Sequence, residues 1–341
     1  MPEKLLKGRR ITRVNWLICR EGTSLRVGMI SVVILNFNGK RYLEDCLTSV
    51  LSQTFRDFEV IIVDNGSSDG SAEYLGTNYP WVKVVKNTRN LGFAEGTNTG
   101  IRQAKGEYIL TLNNDTQMDN RFLECLERVM KSDKSVGMCA PKMLFCDGRI
   151  NSVGICLSRS GAAWDRGMSE PDKGQYNSQE EVFGPCAGAA LYRKKMLEEI
   201  GLFDEDFFLY MEDVDLAFRG RLAGWKCLYV PDAKVHHVYG GTTGFGSDLS
   251  VYYGNRNILW YVAKDFPGKL LIKSLPWIIG RSLAVVPYYA RMGKGRIILK
   301  SKLDSLRGLP RMLRKRSIVV RKVHDGEIAK SIYTWARMPR R

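Results

Sequence analysis

The sequence predicts an α/β fold, in which a mostly parallel central sheet is flanked by helices and followed by a basic, partly amphipathic C-terminal extension. Three observations carry this. Four apolar runs of strand length, residues 30–35, 59–63, 82–85 and 108–112, alternate with segments of helical spacing. The runs are apolar at nearly every position, as strands covered on both faces require, and such strands are joined by right-handed helical crossovers in a parallel sheet. Each run also ends abruptly in polar residues, and open α/β sheets place their ligands at the carboxyl ends of strands.

Composition sets the outer limits. The chain has 341 residues, 44% of them hydrophobic, which is enough for one large domain with appendages and incompatible with disorder throughout. Its formal charge of +16 is unevenly spread, with about +5 on residues 1–28, about −5 on 29–263 and about +16 on 264–341. An acidic middle excludes a nucleic-acid groove there, while basic ends suit an anionic surface such as a membrane leaflet. A solvated basic tail is the plainer alternative. Eight cysteines include no Cys-x-x-Cys and no Cys/His spacing that fits zinc; several lie in apolar segments, so reduced thiols in a cytoplasmic compartment are expected. The apolar stretch near residues 14–19 is short and hemmed in by arginines, unlike a signal peptide. Met29, directly before the first strand, is a second candidate start. The expected organisation is a basic extension over 1–28, a catalytic domain over 29–263 and a membrane-associating segment over 264–341.

Taken in order, the first strand closes at Asn36-Phe37-Asn38-Gly39 and leads to a helix from about residue 42 to 53. The second ends at Asp64, opening the turn Asp64-Asn65-Gly66-Ser67-Ser68-Asp69-Gly70-Ser71; a carboxylate here can accept the imide N–H of a uracil or thymine ring. The third leads into a loop over residues 90–100, then a helix toward Ala104, and Gly92, Gly96 and Gly100 allow backbone to approach a ligand closely. None of these glycine spacings matches a dinucleotide or Walker fingerprint. The fourth runs into Asn113-Asn114-Asp115-Thr116. A carboxylate with carbonyl oxygens suits a hard, partly hydrated divalent cation holding a diphosphate, as Mg2+ or Mn2+ does, and a turn with a helix cap explains the same residues equally well.

Together and in this order the motifs resemble the family-2 glycosyltransferases with the A-type fold. Residues 31–39 are similar to that family's opening strand, 63–71 to its base-binding turn, 90–100 to its diphosphate-side loop, and 112–116 to the metal motif that members write Asp-x-Asp. Asn113 stands at the first place of that motif, leaving Asp115 as its one ionic ligand. The resemblance covers roughly residues 29–262. It implies that Asn36, Asp64, Asn90, Gly92, Asn98, Asn113 and Asn114 line a sugar-nucleotide donor site, with Mg2+ or Mn2+ on Asp115.

The second half supplies the chemistry. A small-residue loop over 183–190 places Gly188 on the acceptor or phosphate side, and the aromatic stretch 201–210 leads into a helix with Val214, Ala217, Phe218 and Leu222 at helical spacing. Glu212, Asp213 and Asp215 fall in its first turn, where the helix dipole favours anions, so capping alone accounts for them. Their similarity to the family's Glu-Asp motif implies more: Asp213 as the base that deprotonates the acceptor hydroxyl, with Glu212 beside it. A strand over 225–230 precedes a loop holding His236 and His237; the resemblance implies His237 as the metal or diphosphate ligand, with His236 as the fallback. In residues 252–257, also similar to a family element, Arg256 offers its fork to a phosphate.

Residues 270–289 are apolar but broken by Lys273, Pro276, Arg281 and Pro287, too interrupted for the run of about 20 apolar residues that a transmembrane helix wants. An interfacial pair of short helices is expected, with an arm packed on the core as the alternative. The resemblance implies an inverting, metal-dependent enzyme, and the cysteines and basic ends add the expectation that it is cytoplasmic and peripherally attached to the inner face of the cell membrane. It would move a sugar from dTDP-rhamnose or a UDP-sugar to a glycan or polyprenyl-diphosphate-linked acceptor in cell-surface polysaccharide synthesis, with galactofuranosyl and N-acetylhexosaminyl donors as alternatives. A sugar-phosphate nucleotidyltransferase would need a Gly-rich, Arg-containing loop after the first strand, which Asn36-Phe37-Asn38-Gly39 does not supply. A non-catalytic membrane-binding protein would have no need of Asp64, Asp115 and Asp213 together.

Overall fold

The computed structural model describes residues 26–238 and 246–334; most of the basic N-terminal extension, the stretch after Val238 and the last seven residues lie outside the described residues. The first half runs β1 (Arg26–Asn36), α1 (Lys40–Leu51), β2 (Phe58–Asp64), α2 (Ser71–Asn78), β3 (Lys83–Lys86), α3 (Gly92–Ile101) and β4 (Gly106–Asn113). β1 pairs with β2 and β4, and β2 with β3, all in parallel. The register sets Asn36 opposite Asp64 and Leu35 opposite Asn113, so three polar strand ends finish level at one edge.

The second half begins with β5 (Thr116–Met118), α4 (Phe122–Ser132), β6 (Val136–Phe145), β7 (Ile150–Ser152), β8 (Ile155–Leu157), β9 (Ala163–Asp165) and β10 (Glu180–Val182). It continues through β11 (Ala189–Arg193), α5 (Lys194–Ile200), α6 (Glu212–Leu222), β12 (Lys226–His237), α7 (Asp248–Asp265), α8 (Gly268–Arg291), α9 (Gly295–Lys315) and α10 (Asp325–Lys330). The main sheet has the order β10-β12-β6-β11-β4-β1-β2-β3, with β11 antiparallel to both neighbours and β6 parallel to β12. Alternation along β1 sends Ile30, Val32 and Ile34 into one core with Leu43 and Leu47 of α1, and Val33 into the other with Ala94 and Ile101 of α3. Burial on both faces is what the unbroken apolar run in the sequence encodes, at about 1.5–3 kcal/mol per fully buried aliphatic side chain.

Several expectations are corrected. Residues 92–101, read as a ligand loop, are helix α3. Its glycines serve packing: a Cβ on Gly96 would lie 2.7 Å from Leu35 Cδ1, and one on Gly100 would collide with Val33. β1 begins at Arg26, with Gly28 N–H donating to Glu107 at 2.8 Å, so residues 26–28 belong to the sheet. β12 continues through the histidines that were placed in a loop. A boundary after residue 263 falls inside α7, and residues 270–289 lie in one 24-residue helix, α8, with Pro276 and Pro287 inside it. The carbonyls those prolines leave without N–H partners, on Ile272 and Leu283, belong to two exposed residues, so water can take their place.

Candidate active site

The donor-side residues form a chain across the sheet edge. Asn114 Nδ2 donates to Asn36 Oδ1 at 2.7 Å, and Asn36 Nδ2 donates in turn to Asp64 Oδ1 and Ser67 Oγ, both at 3.2 Å. Asn90 Oδ1 accepts the Gly92 N–H at 2.8 Å and an Asn65 N–H at 3.0 Å. Asn65, overlooked in the sequence, is the hub of this corner: its amide oxygen takes N–H groups from Asn87 and Leu91. Gly92 has φ +79°, and its missing Cβ leaves room for the carbonyl of Phe208, which accepts from Phe93 and Ala94. Asn98 sits apart, buried, with both amide atoms bonded to the backbone of Phe203 at 2.8 and 3.1 Å.

At the metal end, strand alternation separates the two histidines. His237 is buried with Nε2 3.1 Å from Asp115 Oδ1 and 3.3 Å from Asn113 Nδ2, whereas His236 lies on the other face, 3.9 Å from Asp119. Asn151 Oδ1 stands 2.8 Å from His237 Nδ1, and because an amide oxygen can only accept, Nδ1 is the donor there and Nε2 is the ring nitrogen that faces Asp115. A carboxylate oxygen and an imidazole nitrogen at that distance either share a proton or flank a cation, and both are donors that a divalent ion accepts. Among the described residues no third His, Cys, Asp or Glu joins them. A diphosphate and water would complete the coordination of Mg2+ or Mn2+.

The two carboxylates read as the base pair start α6. Asp213 accepts N–H bonds from Val214 at 2.8 Å and Ala187 at 3.3 Å; burial raises its pKa, and those bonds oppose the rise. Glu212 is buried deeper, its Oε2 without a partner, and burial together with the neighbouring Asp213 charge holds its carboxyl well above the usual range. Both carboxyls are thus held above the usual range, Glu212 the further of the two. Asp215 lies elsewhere, fully buried and paired with Lys264 at 2.6 Å and Arg219 at 2.8 Å.

Two consecutive residues tie base to metal strand. Ala187 N–H binds Asp213, while the Gly188 carbonyl accepts the Asn113 N–H at 2.8 Å. Asp165 on β9, which no pattern in the sequence marks, joins the same electrostatic neighbourhood: burial pushes its pKa up to about 6, with Asp213 adding to the rise and a Ser152 hydrogen bond and His237 opposing it. Arg256, read as a phosphate ligand, instead donates to the carbonyls of Asp206 and Phe207 at 2.9 and 3.0 Å and stacks 4.0 Å over Trp260.

These carboxylates, amides and the histidine collect along the strand-end edge of a sheet with the A-type glycosyltransferase fold. The chain belongs to glycosyl transferase family 2, whose profile matches residues 31–201. It is 28% identical over 239 residues to the N-acetylglucosaminyl-diphospho-decaprenol L-rhamnosyltransferase of Mycobacterium tuberculosis, a match covering 63% of this chain and 78% of that protein. It is 26% identical over 232 residues to the poly-beta-1,6-N-acetyl-D-glucosamine synthase of Staphylococcus epidermidis, covering 64% of this chain and 52% of the synthase. Among solved structures, GalNAc-T7 with UDP, GalNAc and Mn2+ aligns with a TM-score of 0.57 at 19% identity, over 70% of this chain and 48% of its own. The mannosyltransferase PcManGT from Pyrobaculum calidifontis, in complex with GDP-Man and Mn2+, aligns at 0.51 and 17%, over 81% and 86%. At these identities the structural likenesses bear on the fold.

Proposed function

We propose that the protein is an inverting, metal-dependent transferase that moves a sugar from a nucleoside-diphosphate donor, dTDP-rhamnose first among candidates, to a polyprenyl-diphosphate-linked glycan at the cytoplasmic face of the cell membrane. The rhamnosyl and lipid-linked parts take their support from the name of the mycobacterial relative. The observation that carries the reading is the Ala187–Gly188 bridge, which fixes the Asp213 carboxylate beside the strand end bearing Asn113 and Asp115. Asp213 accepts the proton of the acceptor hydroxyl as that oxygen bonds to the anomeric carbon. Asp115 and His237 would hold the divalent cation, whose charge stabilises the departing diphosphate. With base and leaving group on opposite sides of the anomeric carbon, one displacement suffices and the configuration inverts.

Thermal melts with UDP-, GDP- and dTDP-sugars, each with and without Mn2+ or Mg2+, test this. One base class should raise Tm in the presence of metal, by about 2.7 kcal/mol of stabilisation at a hundredfold excess over Kd. Asp115→Ala should lose the metal-dependent part while keeping the unliganded Tm. No shift with any nucleotide sugar, or a product that retains the donor's anomeric configuration, would overturn the proposal.

A further inference from the structure

Away from the catalytic edge, α8 and α9 carry two rows of exposed aliphatic side chains that the chemistry leaves unexplained. On α8, Ile272, Leu275, Ile279 and Leu283 recur at three- and four-residue spacing and are 42–69% exposed, while Leu270, Ser274 and Ile278 are buried. On α9, Leu299, Leu303, Leu306 and Leu313 follow the same rule at 52–57% exposed, against Ile298, Ser301, Ser305 and Met312 on the buried side. The spacing keeps each row on one face of its helix. Around these rows the charge is almost wholly positive. Residues 268–315 hold twelve Lys or Arg and a single acid, Asp304, which already accepts from Tyr252 at 2.7 Å and Arg307 at 2.9 Å.

We propose that α8 and α9 form a docking face for an anionic lipid bilayer, lying in its plane with the aliphatic rows at the acyl boundary and the lysines and arginines among the headgroups. This deepens the lipid-linked-acceptor reading and rests on it only for its purpose. A large apolar face edged by cations is the pattern of an interfacial helix. A second copy of the chain fits this face poorly, because it would press one cationic belt against another. Nor does α8 cross the bilayer, although its 24 residues are long and apolar enough to do so. A crossing would strip Leu270, Ser274 and Ile278 from the core and carry the mid-helix Arg281 into hydrocarbon.

The same hairpin fastens to both arms of the active site. Where α9 begins, Lys294 binds the Gly246 carbonyl and Asp248 Oδ1 (3.0 Å for the latter), at the start of the helix next after His237. Where it ends, Arg311 and Lys315 pair with Asp206 at 2.6 and 2.7 Å, six residues ahead of Glu212. A bilayer held by this face therefore lies against the layer that supports the catalytic residues.

Co-sedimentation of the full-length protein with phosphatidylcholine vesicles, with and without phosphatidylglycerol, tests the inference in the absence of any sugar nucleotide. Wild type should bind the anionic vesicles and release as salt rises. Leu299→Ser/Leu303→Ser/Leu306→Ser should weaken binding at least about tenfold, and Arg296→Ala/Lys300→Ala/Arg314→Ala should do so only on anionic vesicles. Both variants should keep the wild-type Tm and donor-dependent stabilisation. Wild-type failure to bind anionic vesicles, or equal binding by the leucine variant, overturns the docking face. Sedimentation velocity showing a dimer that the leucine variant disperses, without vesicle binding, assigns the face to a second copy. Loss of docking with donor stabilisation intact sinks this inference alone; absence of donor stabilisation in wild type sinks the functional reading.

Discussion

Asp213 and Glu212 are neighbours in sequence and opposites in surroundings. Asp213 keeps two N–H donors and partial access to the site, while Glu212 is buried with an unpartnered oxygen. Asp213→Asn removes basicity and keeps shape, so turnover should fall roughly 10²–10⁴-fold with donor stabilisation unchanged. Because burial raises the Asp213 pKa, the acidic limb of the wild-type rate profile should lie above the ordinary aspartate value of about 3.9. Glu212 gives the complementary prediction. Its folded pKa is raised, so between its unfolded pKa and that raised value the native state binds the extra proton, and stability declines as pH rises through the window. Glu212→Gln should therefore raise Tm more at pH 8 than at pH 4 and cost less turnover than Asp213→Asn. A variant less stable than wild type at pH 8 would contradict the raised Glu212 pKa.

The segment that launches α6 is the most strained element in the site. Phe208, Tyr210 and Met211 all have positive φ, between 62° and 70°, a conformation costing non-glycine residues of order 1–3 kcal/mol each. Its carbonyls are held from α7: Asn257 Nδ2 faces those of Phe207, Leu209 and Tyr210 at 2.9, 2.9 and 2.7 Å, beside the two that Arg256 holds. Asn257 acts on catalysis through this loop, as a positioning residue. Asn257→Ala should lower kcat by at least about tenfold while leaving donor stabilisation near normal, since misplacing a catalytic group by about 1 Å costs on the order of 10²-fold. Asn257→Asp keeps the size but loses the N–H donors, and should be no better than alanine. Full kcat in the aspartate variant would detach the loop geometry from the rate.

Across the whole molecule, the C-terminal helices share the core of the catalytic domain. Leu270, Ile278, Met312, Val319 and Ile328 belong to the same apolar cluster as Phe218 and Tyr192. Lys264, 4% exposed, bridges Asp204 at 2.7 Å and Asp215 at 2.6 Å, and Arg219 closes the network by holding the carbonyls of Ile200, Gly201 and Leu202. Removing one partner of a buried ion pair costs about 3–5 kcal/mol, a large share of a typical domain's 5–15. A chain ended after Ala263 should therefore lack a cooperative thermal transition, as judged by near-ultraviolet circular dichroism and calorimetry. A truncated protein that melts with wild-type Tm would show that the helices are only appended.

Local pattern was enough to read the order of the first four strands, because burial on both faces writes itself as continuous apolar runs and each run stops where the sheet does. Asn36, Asp64 and Asn113 were legible for that reason, as strand ends, and Asp115 as the turn two residues past one. The skew of charge toward the C-terminus was legible as well, since charge needs no fold to be counted. What the sequence could not show is which local reading survives contact with distant residues. Residues 92–101 look like a flexible glycine loop until Val33 and Leu35 are placed beneath them, where only glycines let a helix lie so close. His236 and His237 are equivalent by composition, and the alternation of β12 against β5 and β6 turns only one toward Asp115. Asp165 and Asn151 reach the site from β9 and β7, strands of three residues too short to announce themselves. Arg256 has the chemistry of a phosphate ligand, yet the carbonyls of a strained loop 50 residues away claim it. The sequence by itself determined the first four strands, their order along the chain and the polar residues at or just past their ends; the tertiary structure decided the remaining elements and the partners, because hydrogen bonds and ion pairs between distant segments depend on packing that no local periodicity encodes.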